Sequence, residues 1–82
     1  MNELNKEIKS WSTQKLREAC NELMSWKRTG LLKQDGVMIE LRNFVTKTVG
    51  EDYQSLSIAE KMVSDEAMFR FVAVTETLKI NA

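Results

Sequence analysis

Residues 57–74 read SIAEKMVSDEAMFRFVAV, and the assignment of this run decides the fold class. Its last six residues, Phe69 to Val74, have high β propensity and, taken alone, suit a strand. The lead-in from Glu60 to Met68 is strongly helical, and no glycine or proline separates the two parts. Without a turn the chain has no place to change state, so the whole run is predicted to be one helix. Ser57 followed three residues later by Glu60 reads as a capping box that opens it, each side chain satisfying a free backbone N–H of the other's turn. From Ile58 the apolar positions continue through Ala59, Met62, Val63, Phe69, Val72 and Ala73 toward Ile80.

Upstream, the punctuation is sparse: the 82 residues hold three glycines, at Gly30, Gly36 and Gly50, and no proline. Before Gly30, the residues Leu4, Ile8, Trp11, Leu16, Ala19, Leu23 and Trp26 fall within an arc of about 140° at helical spacing, one face of an amphipathic helix. Lys27 and Arg28 suit the negative end of its dipole, and Gly30 suits the left-handed position that closes it. Ser10, Ser12 and Thr13 form its one weak spot, because Ser12 is a competent N-cap for a new helix. Between Gly36 and Gly50, the residues Val37, Met38, Leu41, Phe44, Val45, Thr48 and Val49 share one side, with Asp35 as the expected N-cap. The expected fold is therefore all-α, a single domain over residues 1–82 made of three principal helices, with a candidate break in the first near Ser12. So short a chain holds one hydrophobic core.

Formal net charge is zero, so no whole-molecule field attracts nucleic acid or anionic lipid. The lone Cys20 has no internal disulfide partner, no apolar run approaches the roughly 20 residues needed to cross a bilayer, and the first residues are too polar for a signal peptide. These features lead to the expectation of a cytoplasmic protein. With no histidine and one cysteine, metal-ligand spacing is missing, and the isolated glycines form no phosphate loop, so neither a metal nor another cofactor is expected. Cys20 has no base to activate it and reads as a packing residue. The adjacent pairs Glu51 with Asp52 and Asp65 with Glu66 point to different sides of a helix and read as solvated faces rather than acid-base pairs. No residue set reaches a nucleophile with an orienting base, so the chain is read as not an enzyme.

Two features speak to partners. A middle helix of about 20 Å cannot cover outer helices of about 35 Å. Leu4, Ile8 and Trp11 at one end and Phe71, Val74 and Leu78 at the other then lack a neighbour within the chain. A second copy covers them, or a break at Ser12 folds residues 1–10 back over the last helix. The expected function is a non-enzymatic helical protein-protein interaction module, an adaptor, inhibitor or small regulator, that self-associates as a homodimer or higher oligomer. The alternative is a small DNA-binding regulator, using a helix-turn-helix-like turn at Gly50 or the basic patch of Lys27, Arg28 and Lys33. Against it, Glu51 and Asp52 repel a phosphate backbone where a recognition helix begins. Charge is unevenly divided: residues 1–50 hold nine basic and six acidic side chains, and residues 51–82 hold three and six.

Overall fold

In the computed structural model, which describes residues 2–50 and 54–81 and the side chains of residues 3–50 and 54–75, the chain is all-α. Four helices follow one another: α1 (Asn2–Ser10), α2 (Thr13–Thr29), α3 (Val37–Val49) and α4 (Ser55–Asn81). The expected first helix is therefore two. Trp11 and Ser12 interrupt it, and the Ser12 hydroxyl accepts the Lys15 N–H at 3.1 Å as the N-cap of α2. Phe69 to Val74 are helical, since α4 runs unbroken through them.

α3 and α4 form the central pair, and α1 and α2 each pack on both. The core between them is made by Leu4, Ile8 and Trp11 from the α1 segment, Leu16, Ala19 and Leu23 from α2, Met38, Leu41 and Val45 from α3, and Ala59 and Val63 from α4. The helical spacing that gathers these residues on one side of each element is what brings the elements together.

Of the four caps read from the sequence, Ser12 and Gly30 form and the other two do not. Gly30 closes α2 in the left-handed region, at φ 79°, with its N–H on Trp26 O at 2.7 Å. α3, by contrast, is not capped by Asp35. Its cap position is Gly36, and the Glu22 carboxylate reaches across from α2 to accept the Val37 and Met38 N–H groups at 3.0 and 2.9 Å. A carboxylate there meets both the free donors and the positive end of the dipole. A Cβ at position 36 would fall within 3.0 Å of that carboxylate, so the close approach depends on glycine. The Ser57 and Glu60 capping box does not form, because α4 has already begun at Ser55 and the Ile58 N–H bonds Gln54 O at 3.1 Å. Thr46 donates its hydroxyl to Ser55 Oγ at 2.6 Å, tying the end of α3 to the start of α4, and Glu60 pairs with Lys27 of α2.

Candidate protein-interaction surface

Because α1 is separated from α2 at Ser12, it lies back along α4, and this placement overturns part of the expected contact. Leu4, Ile8 and Trp11 were to stand uncovered for a second chain; they are buried at 2%, 4% and 6% exposure within this one. The physical reason is the break itself. A continuous helix would have carried them past the end of α3, whereas the turn at Trp11 and Ser12 returns them to the core.

Arg70 holds this arrangement closed. Its Nη2 donates to Trp11 O at 2.8 Å and to Ile8 O at 3.4 Å, and its Nε donates to Glu66 Oε2 at 2.8 Å. Ile8 O also accepts the Trp11 N–H at 3.3 Å and Trp11 O lies just past the end of α1; a guanidinium suits both as a fork of donors and as a cation at the negative end of the dipole. Glu66, one turn earlier on α4, fixes the fork. At the break itself, the Trp11 indole N–H donates to Glu7 Oε2 of α1 at 3.0 Å, and the Lys15 ammonium of α2 sits 4.8 Å from the centroid of the Trp11 ring. Sequence reasoning missed Arg70, although its spacing of four from Glu66 was visible.

Past Arg70 the character of α4 changes. At 27 residues it is about 40 Å long, against about 20 Å for the 13 residues of α3. None of the described side chains after Arg70 is buried. Phe71 and Val74 are 70% and 58% exposed, and Met68, Phe69 and Val72 stand in solvent beside them. Leu78, expected in the same contact, lies outside the residues whose side chains are described. Between α1 and α4 runs a groove of about 500 Å³, with Leu4, Ile8 and Met62 in its floor and Phe69 at its edge.

The other sequence candidates separate. Of the basic patch, Lys27 is engaged with Glu60, while Arg28 and Lys33 are exposed. At the proposed turn, Gly50 has φ 103° and its N–H bonds Thr46 O at 2.8 Å; Glu51 and Asp52 lie outside the described residues. Cys20 is half-buried against the core, and burial pushes its thiol above the usual range. Among the described residues, no helix is long and apolar enough to cross a membrane, and no three metal-ligating side chains come together. Comparison of the chain with protein-family models, with curated proteins and with solved structures finds no match.

Proposed function

We propose that the chain is a non-enzymatic helical interaction module whose contact surface is the second half of α4. The observation that carries this reading is the run from Met68 to Val74, in which five large apolar side chains are more than half exposed on one projecting helix. A monomer in water seldom leaves so much apolar surface free on one helix, and a helix apolar on more than one side is stable when something packs against it. Scattered exposed residues such as Met24 and Leu31 need no such account. The half-buried, desolvated Cys20 adds no reactive centre to set against it.

The test is capture from the source cells with the wild-type chain and with a Phe71→Glu, Phe69→Glu double variant as bait. Both side chains are about 70% exposed, so the variant keeps its fold. Partner chains retained by the wild type and lost by the variant are the expected result. Partners retained equally by both baits would remove α4 from the contact.

A further inference from the structure

We infer that α1 is exchangeable between two copies of this chain: the break at Trp11 and Ser12 straightens, α1 and α2 become one helix, and each α1 takes the place of its counterpart on α3 and α4 of the other copy. What fits the seat is shown by the chain itself. Leu4, Ile8 and Trp11 are buried there at 2%, 4% and 6% exposure, and a second copy offers the same residues to the same seat.

Sequence and geometry both allow the straightening. No glycine or proline occurs between Asn2 and Thr29, so nothing in the backbone chemistry demands a break. The apolar residues on either side keep one helical phase, since Leu4, Ile8 and Trp11 lie within the same arc of about 140° as Leu16, Ala19, Leu23 and Trp26. In a continuous helix of about 42 Å, α1 projects past its own chain with its apolar side in line with the core side of α2, where a second seat can receive it. Only the helical bonds from the N–H groups of Ser12, Thr13, Gln14 and Lys15 to the carbonyls of Ile8, Lys9, Ser10 and Trp11 separate the two forms.

A latch keeps the last of these bonds open at both ends. The Lys15 N–H is taken by Ser12 Oγ at 3.1 Å, and its acceptor in a continuous helix, Trp11 O, is taken by Arg70 Nη2 at 2.8 Å. Ser12 and Arg70 therefore hold the monomer, and their loss favours the exchanged dimer. Because the apolar contacts of α1 form again in the dimer, the balance is set at the hinge and by the entropy of association. Ser12→Ala removes an N-cap from each monomer, a factor of about five per chain, so the association constant rises about thirtyfold for the pair. Thr13→Pro acts in the opposite sense. Proline suits the first position of a helix, and Ser12, at φ −67° and ψ 160°, already has the extended conformation that a residue before proline needs. The same ring excludes the bond to Lys9 O on which the continuous helix depends.

Each chain is unfolded in urea and refolded over a range of about 10 to 500 µM, and its mass is followed by sedimentation. Ser12→Ala is expected to reach twice 9.5 kDa at about thirtyfold lower concentration than wild type, and Thr13→Pro to stay at 9.5 kDa. Exchange is told apart from surface pairing by a cross-link: in a Cys20→Ser, Ser12→Ala chain, Asn5→Cys and Lys61→Cys line one groove from α1 and α4 and are joined by a short bismaleimide. The dimer fraction is expected to show two chains joined on a denaturing gel, and the monomer fraction one. Circular dichroism checks the fold of each variant. A dimer linked only within single chains, a dimer that persists in Thr13→Pro, or a mass of 9.5 kDa throughout in both Ser12→Ala and Ser12→Ala with Arg70→Met overturns the exchange. The exposed apolar side chains of α4 take no part in it, so the outcome is independent of the capture experiment.

Discussion

Replacing Arg70 by methionine keeps the apolar stem of the side chain and removes its three polar contacts. The bonds to Trp11 O and Glu66 Oε2, both 2.8 Å, are charge-assisted, and bonds of that class contribute about 1.5–3 kcal/mol each. The third, to Ile8 O at 3.4 Å, is at the edge of hydrogen-bond geometry and adds little. Two considerations reduce the sum: the contacts share one guanidinium and do not add, and Arg70 is 24% exposed, so water replaces part of what is lost. One raises it, because Glu66 is 11% exposed and keeps its charge without its partner. The net expectation is a loss of about 3 kcal/mol, against a total of about 4–12 kcal/mol for a chain this size. That lowers the unfolding midpoint by about 12–24 °C. Urea unfolding at one fixed protein concentration measures the loss, and amide exchange locates it, with protection falling first in α1. Adding Glu66→Gln to the Arg70→Met chain removes the orphaned charge and restores about 1 kcal/mol. A loss under about 1 kcal/mol, or equal loss of protection in α1 and α2, would mean that Leu4, Ile8 and Trp11 hold α1 without the clasp.

Glu22→Ala removes the carboxylate from the start of α3 and should cost about 1–2 kcal/mol, with exchange at the Val37 and Met38 amides accelerating most; an unchanged urea midpoint would contradict the cap. Ser57→Ala should change stability by less than about 0.5 kcal/mol, since Ser57 is exposed inside a helix already begun, whereas Ser55→Ala should cost about 1 kcal/mol more by unpairing Thr46. Alkylation of Cys20 by iodoacetamide at pH 8 should be at least about tenfold slower in the folded chain than in urea, because burial raises its pKa and narrows access; equal rates would refute this. Duplex DNA should give no retained complex in a gel shift at about 150 mM salt, since Lys27 is engaged by Glu60, and a salt-resistant shift would revive the basic patch.

The all-α fold, the ends near Gly30 and Gly50 and the core positions of α2 and α3 were legible because each rests on local periodicity and on backbone conformation at glycine, whereas the same periodicity grouped Phe69 and Val72 with Ala59 and Val63 although they are 68% and 54% exposed. Ser12 shows where such reasoning divides. A hydroxyl at a helix-competent position supports either continuation or a new N-cap, and the choice falls to whichever arrangement buries Leu4, Ile8 and Trp11. That is a tertiary quantity. The misassigned starts of α3 and α4 have the same origin. Asp35 and Ser57 satisfy the local rules for caps, but α3 is capped by Glu22, fifteen and sixteen residues from the amides it bonds, and α4 begins two residues before Ser57, where the Ser55 hydroxyl accepts from Thr46. Long-range capping leaves no mark in a window of four residues. Of the expected contact, Phe71 and Val74 were read correctly as exposed because the excess length of the last helix is visible in its sequence. The groove was not visible, since it exists only after α1 has folded back.

The clasp and the groove are therefore one thermodynamic object. Arg70 fixes the end of α1, and the docked α1 supplies Leu4 and Ile8 to the groove floor. A ligand that occupies the groove binds only chains with α1 docked, and so it must stabilise docking by the same free energy with which docking favours the ligand. Arg70 lies at the boundary between the buried and the projecting halves of α4, and it meets the groove floor only at the backbone carbonyl of Ile8. Its loss is then felt at the contact surface only through the population of docked α1. If one chain in ten has α1 docked, affinity for the groove falls about tenfold with no change in any residue that makes the contact. That separates a residue that holds the surface together from Phe69, which forms it. A groove ligand at higher concentration recovers binding in the Arg70 variant by drawing α1 back onto α4, whereas in Phe69→Glu α1 stays docked and the groove itself loses a lining side chain.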